Sequence, residues 1–300
     1  MPRVALNGVE LYYEDSGSGA SVVWVHGGFA SLDTVLRHLA PYDWSWEWDF
    51  ARQFHFIWYD RRGCYRSSSP GEGYELENQA RDLELLLDHL EVDCAHVIGS
   101  SAGGPISIVF AATRPDRVRS LVLQGTGLDL FPEGDRATEI LRQQIQIFER
   151  EGAEVAFDRR PEGVEVSFGV LWEREEMEVR GTLDEYVERQ AEFQKQAQCL
   201  PRSQRIRHYA AELRNIKAYM DADVYAYAQQ INAPTLVLHG ANDRVVPLAW
   251  GEALARAIPC ARLRVIHDAS HGPIFRNDAA RGEAIQFIQD VEGRRTTASI

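Results

Sequence analysis

Short apolar runs alternate along the chain with longer amphipathic stretches, and the alternation predicts strands interleaved with helices. Segments 21–25, 54–59, 95–99, 119–123 and 235–240 are compact apolar runs too short to form the core of a helix, and 262–267 follows as a further strand. Shorter strands are expected near 3–6 and 9–14. Between them, 76–90 places Leu76, Ala80, Leu83, Leu87 and Leu90 close to one face of a helix. A second helix is expected over 102–113. Strands alternating with helices imply an α/β fold with a mostly parallel sheet covered on both faces.

After Gly125-Thr126-Gly127 the pattern changes. Residues 127–230 are helical in pattern and rich in Glu, Arg and Gln, with Pro132, Gly152, Pro161, Gly181 and Pro201 as interruptions. Over 126–230 there are 21 Asp or Glu against 14 Lys or Arg, so this stretch carries over half of the net charge of -13. The expected organisation is a core of 1–126 and 231–300 with a mainly helical insertion of 127–230 folded back as a lid. A helical excursion confined to the surface is the alternative. No internal repeat is evident.

The chemistry concentrates at the ends of the apolar runs. Gly99-Ser100-Ser101-Ala102-Gly103 follows 95–98, and glycines two residues either side of Ser101 suit a sharp strand-to-helix turn that exposes a nucleophile. Ser100 lacks such flanks. The strand 21–25 runs into His26-Gly27-Gly28-Phe29, where the Gly28 amide, paired with that of Ala102, is placed to receive a developing oxyanion. His26 is read as a loop-fixing residue. The strand 235–240 leads to Asp243, and 262–267 leads to His271, giving the chain order Ser, Asp, His. Asp243 accepting the Nδ1 proton of His271 would leave Nε2 to take the Ser101 proton. Asp129 is the alternative acid and His267 the alternative base.

These segments together resemble the α/β-hydrolase family, specifically its serine hydrolases with an inserted cap. The resemblance rests on His26-Gly27-Gly28, Asp60-Arg61-Arg62-Gly63, Gly99-Ser100-Ser101-Ala102-Gly103-Gly104, His239-Gly240-Ala241-Asn242-Asp243-Arg244-Val245-Val246-Pro247 and His271-Gly272. It implies an α/β-hydrolase fold with Ser101 as nucleophile, Asp243 as acid, His271 as base and main-chain donors at Gly28 and Ala102. The Asp60-Arg61-Arg62-Gly63 turn is expected to support the sheet edge. His26-Gly27-Gly28, the same turn and Trp172-Glu173 also partly resemble proline iminopeptidases, in which case Glu173, Glu175 or Glu176 would meet a substrate ammonium. Phe29-Ala30 and Ala102 depart from that group's pattern.

Composition narrows the partners. With 45% apolar and 26% charged residues the chain is globular, and its net charge of -13 opposes binding to nucleic acid or anionic membranes. No 18-residue apolar stretch is present, and the first residues lack a signal-peptide core, so a cytoplasmic enzyme is expected. Cys64, Cys94, Cys199 and Cys260 show no paired spacing and are read as free thiols, with one disulfide as the alternative. No metal or cofactor motif is found. Phe29, Trp44, Trp172 and Glu173 are candidate substrate contacts, while packing is the leading role for the Trp44, Trp46 and Trp48 group. The expected reaction is hydrolysis of a small carboxylic ester. The alternatives are an amide substrate in an aminopeptidase, carbon–carbon bond hydrolysis, and a non-enzymatic small-molecule receptor.

Overall fold

The computed structural model describes residues 2–29, 45–162, 164 and 168–298. An eight-stranded sheet of β1 (Arg3–Leu6), β2 (Val9–Ser16), β3 (Ser21–Val25), β4 (His55–Tyr59), β5 (Ala95–Ser100), β6 (Val118–Gln124), β7 (Thr235–Gly240) and β8 (Ala261–Ile266) runs in the order β1-β2-β4-β3-β5-β6-β7-β8. The first two strands pair antiparallel at one edge, and β4 to β8 with β3 are parallel. This is the α/β-hydrolase fold expected from the sequence. The chain order reverses around β3, which has β4 on one side and β5 on the other. Loops leaving the carboxyl ends of β3 and β5 therefore diverge and open a crevice, the place where parallel sheets bind ligands.

Alternation along each strand divides the core into two layers. Val23, Val25, Ile57, Val97, Leu121 and Leu123 face α2 (Leu76–His89) and α3 (Gly103–Thr113), whereas Val22, Trp24, Phe56, Trp58, Ile98 and Val122 face α1 (Ser45–Ala51) and the C-terminal helix. Trp46 of α1 packs in the second layer with ring centroids 4.5 Å from Trp24 and 5.0 Å from Phe275, while Trp48 points to solvent. Trp44 lies outside the described residues. Strand β4 begins one residue later than the pattern suggests, because the Phe54 amide still donates to Phe50 O at the end of α1.

Between β6 and β7 the chain forms a distinct helical cap of α4 (Arg136–Glu151), α5 (Ala153–Asp158), α6 (Val170–Val179), α7 (Leu183–Gln198), α8 (Arg202–Asp221) and α9 (Val224–Ala228). Asp135 caps α4 by accepting from the Thr138 amide, and Pro132, Gly152, Pro161, Gly181 and Pro201 all fall outside helices. Apolar side chains of the insertion, among them Phe157, Phe168, Leu213 and Ile216, join the same cluster as Val25 and Ile106. A surface excursion would leave these side chains wet, so burial seats the insertion on the sheet's first layer. After β7 come α10 (Leu248–Ala257), β8, the short α11 (Pro273–Arg276) and α12 (Asp278–Ala298). All four cysteines carry thiols, and among the described residues no helix is long and apolar enough to cross a membrane.

Candidate active site

The β5–α3 turn holds Ser101 at φ 49, a left-handed conformation that a non-glycine residue adopts at a cost. The turn is held from both sides: the Ser101 amide donates to Gln124 O at 2.9 Å, and its carbonyl accepts from the Gly104 amide at 2.8 Å. Gly103 permits the close approach, since a Cβ there would run into the Val25 carbonyl. Ser100 is buried inside the sheet and its Oγ accepts from Gln124 Nε2 at 2.9 Å. Packing thus separates the two adjacent serines, and Ser101 is the one on the turn.

Asp243 and His271 leave the ends of the neighbouring strands β7 and β8. Asp243 Oδ2 accepts from His271 Nδ1 at 2.8 Å, and its other oxygen accepts from the amides of Val245 at 2.9 Å and Val246 at 2.8 Å. Both carboxylate oxygens accept, and because an ionised carboxylate can only accept, His271 Nδ1 must carry the proton of this bond, which leaves Nε2 of the neutral imidazole bare. Burial raises the Asp243 pKa, but the charge and hydrogen bond of His271 outweigh it and the net shift is down. For His271, burial works against the charged form, but Asp243 and then Glu176 favour it more strongly and the pKa is raised. His239, also buried, sits with Nε2 3.6 Å from Asp243 Oδ2 and 2.8 Å from Val246 O. Gly125, directly after the carbonyl that holds Ser101, lies against the His271 ring. Among the described residues no hydrogen bond joins Ser101 Oγ to His271; such bonds in free enzymes often tighten only with substrate.

On the opposite side of the turn, His26 is fixed in the β3 loop: Nε2 accepts from the Arg61 amide at 3.0 Å and Nδ1 is 2.6 Å from Gly27 O. Arg61 is fully buried. One guanidinium nitrogen donates to Gly28 O, and another donates to Tyr219 Oη at 2.8 Å. The Tyr219 hydroxyl in turn donates to Ala102 O. A single cation and phenol thereby hold the carbonyls of both residues whose amides are the candidate oxyanion donors. Burial drives the Tyr219 pKa up, so its hydroxyl keeps the proton it donates. The neighbouring Arg62 makes a two-pronged pair with Asp82 of α2 at 2.7 Å and 2.7 Å and donates to Asn7 O, in the turn between β1 and β2, at 3.1 Å, while Asp60 holds Arg66 at 2.7 Å; the turn thus ties the edge hairpin to α2.

Phe29 meets Tyr219 edge to face with ring centroids 4.9 Å apart and lies tilted at 5.4 Å from Phe131, whose ring lies 6.1 Å from Trp172. Two of the candidate substrate contacts, Phe29 and Trp172, thus belong to one aromatic group beside the turn. Glu173 Oε2 accepts from Tyr186 at 3.3 Å, and Glu175 is exposed. Glu176 is different: it is fully buried, and its two oxygens accept from the amides of Arg244 and His271, each at 3.0 Å. Asp129 is exposed and accepts from the Phe131 amide at 2.8 Å, and His267 is exposed at the end of β8. The partnerships of Arg61, Tyr219 and Glu176 span up to 158 residues of chain and leave no local sequence signal.

A family model described as alpha/beta hydrolase fold matches residues 20–278, and the chain belongs to that family. It is 28% identical over 312 residues to a non-heme haloperoxidase of Rhodococcus erythropolis, covering 96% of this chain and 100% of the relative. It is 27% identical to 2-hydroxy-6-oxononadienedioate/2-hydroxy-6-oxononatrienedioate hydrolase 1 of Pseudomonas putida, over 88% and 86% of the two chains. Among solved structures, a thermophilic esterase from Thermogutta terrifontis superimposes with a TM-score of 0.67 at 26% identity, covering 97% of this chain and 99% of that one. These neighbours are enzymes built on one fold with different chemistries, so the residues of the site must choose among them.

Proposed function

We propose that the protein is a serine hydrolase that cleaves small carboxylic esters through an acyl-enzyme. The observation that carries this reading is the 2.8 Å hydrogen bond from His271 Nδ1 to the buried Asp243, formed at the sheet end where Ser101 stands on its strained turn. His271 Nε2 takes the Ser101 proton as Oγ attacks the ester carbonyl carbon. The carbonyl π pair moves onto oxygen, where the Gly28 and Ala102 amides receive it. His271 then passes the proton to the departing alkoxide, and the C–O bond breaks to leave the acyl group on Ser101. Water, deprotonated by His271, attacks the acyl carbon; the bond to Ser101 Oγ then breaks as His271 returns that proton to Oγ, and the acid leaves.

Core residues 1–126 and 231–300 supply this machinery, and the cap, residues 127–230, covers it. The aromatic group of Phe29, Phe131 and Trp172 suits an apolar acyl or alcohol portion. The likeness to an esterase of similar length is in keeping with that choice. Glu176 is already committed to two backbone amides, which takes it out of the three cap carboxylates considered for a substrate ammonium.

The test combines labelling with a substrate panel. A small fluorophosphonate is expected to add one equivalent at Ser101, and short p-nitrophenyl esters are expected to turn over repeatedly. Labelling at another residue rejects the nucleophile. Cleavage of prolyl arylamides or of a vinylogous diketone with negligible ester turnover transfers the assignment to an aminopeptidase or a carbon–carbon hydrolase. A stable one-equivalent adduct without turnover on any of them points to a receptor.

A further inference from the structure

We infer that Glu176, reaching from cap helix α6 into the core, is a positioning residue that holds the Asp243 and His271 loops in working register, so that the pair is fully assembled only while the cap is seated. The inference rests on the roles proposed for Ser101, Asp243 and His271. Glu176 is fully buried, and among the described residues no arginine or lysine pairs with it. A buried carboxylate is costly unless strong donors surround it. Here the donors are two main-chain amides, one from His271 itself and one from Arg244, the residue after Asp243.

Three consecutive amides after the acid are held by carboxylates: Arg244 by Glu176, and Val245 and Val246 by Asp243. The β7 loop is thus gripped from the cap and from its own side chain at once. The β8 loop is tied to it twice, through the imidazole and through Glu176. A contact that only fastened the cap could fall anywhere along the rim. This one falls on the two loops that carry the acid and the base, and it adds a negative charge beside the imidazolium that forms during the reaction. The other groups facing His271 are Asp243 and His239 from the β7 side and Arg276 from α11, whose Nη1 donates to His271 O at 3.3 Å.

The experiment follows phosphonylation of Ser101 by a small fluorophosphonate across pH in the full-length protein, which requires no knowledge of the natural substrate. In E176Q the amide removes the charge and turns a donor toward one of the two backbone donors. The maximal inactivation rate should fall at least about tenfold while the half-saturating concentration changes less than about threefold. The midpoint of the pH rise should move toward acid, because the imidazolium has lost a favourable neighbour. E176D keeps the charge but is one methylene short of reaching both amides; its rate should fall with the midpoint unmoved. If E176Q fails to fold, E176D decides. A folded variant labelled at the wild-type rate overturns the inference, as does a change confined to half-saturation, which a cap contact that merely shapes the pocket would produce. Failure of the wild-type protein to label at Ser101 rejects instead the reading on which the inference rests.

Discussion

Gly125 and His271 are packed so closely that a Cβ on the glycine would lie 3.2 Å from both Nδ1 and Cε1 of the ring and 3.4 Å from Asp243 Oδ2. Gly125 also has φ +50, so an added side chain meets backbone strain as well as crowding. G125A should cost about 1–2 kcal/mol of stability and should lower kcat by displacing the imidazole. Chemical denaturation and ester turnover check the two effects separately. Wild-type turnover in G125A would show that the ring has room to spare.

Removing the proposed nucleophile or base should abolish turnover while leaving the fold intact. S101A and H271A are expected to lose about 10⁴-fold or more in kcat, and D243N a comparable factor because the imidazole loses its orienting acceptor. D129N should be nearly unaffected, since Asp129 serves a turn beside Phe131. A large loss confined to D129N would reassign the acid.

The phenol that bridges cap and core offers a different test. Y219F removes the acceptor of Arg61 Nη1 and the donor to Ala102 O together. Leaving buried polar groups unsatisfied costs about 1–3 kcal/mol, so the melting temperature should fall. If those carbonyl contacts align the Gly28 and Ala102 amides, kcat should fall with it while KM changes little. R61M should show the same kinetic signature, and unchanged kcat in both variants would confine the pair to a structural role.

The direction of the His271 shift sets the pH behaviour. As the proposed base, His271 must be neutral, so kcat/KM should rise with pH along a limb centred above the usual histidine value of 6.5. Burial opposes that placement, and Asp243 with Glu176 overrides it. In D243N the limb should move toward acid. Stability runs the other way: a raised folded-state pKa contributes stability below the unfolded value of 6.5, and that contribution is lost as pH rises through the folded value. Comparing wild type with H271A by urea denaturation across this window isolates the effect, and parallel curves would contradict it.

The two-pronged Arg62–Asp82 pair, nearly inaccessible on both sides, should respond strongly when broken and weakly when replaced. D82L strands a buried guanidinium and should cost about 3–5 kcal/mol, whereas the double change R62L/D82L should recover much of that loss. Equal destabilisation in the single and double variants would show that Arg62's bonds to Asn7 O and Glu72 O matter more than the ion pair.

The strands, the helices at 76–90 and 102–113, the helical insertion and the Ser101 turn were legible because each depends on local periodicity or on a few neighbouring residues; the helices Ser45–Ala51, Leu248–Ala257 and Asp278–Ala298 were not singled out. The run from Ala95 to Ile98 requires a buried strand, and Gly103 beyond Ser101 admits the carbonyl of Val25. The sequence could also place Asp243 and His271 after successive strands, in an order that brings them to one end of a parallel sheet. It could not choose a partner for a buried charge. Arg61 read as part of a supporting turn, yet it spans Gly28 and Tyr219; Glu176 read as one of three cap carboxylates facing a substrate, yet it is spent on the amides of Arg244 and His271. Local sequence fixes where a side chain starts and which face it leaves from. Tertiary packing alone decides which distant donors lie within hydrogen-bonding reach once water is excluded, and that exclusion makes each buried group's pairing obligatory.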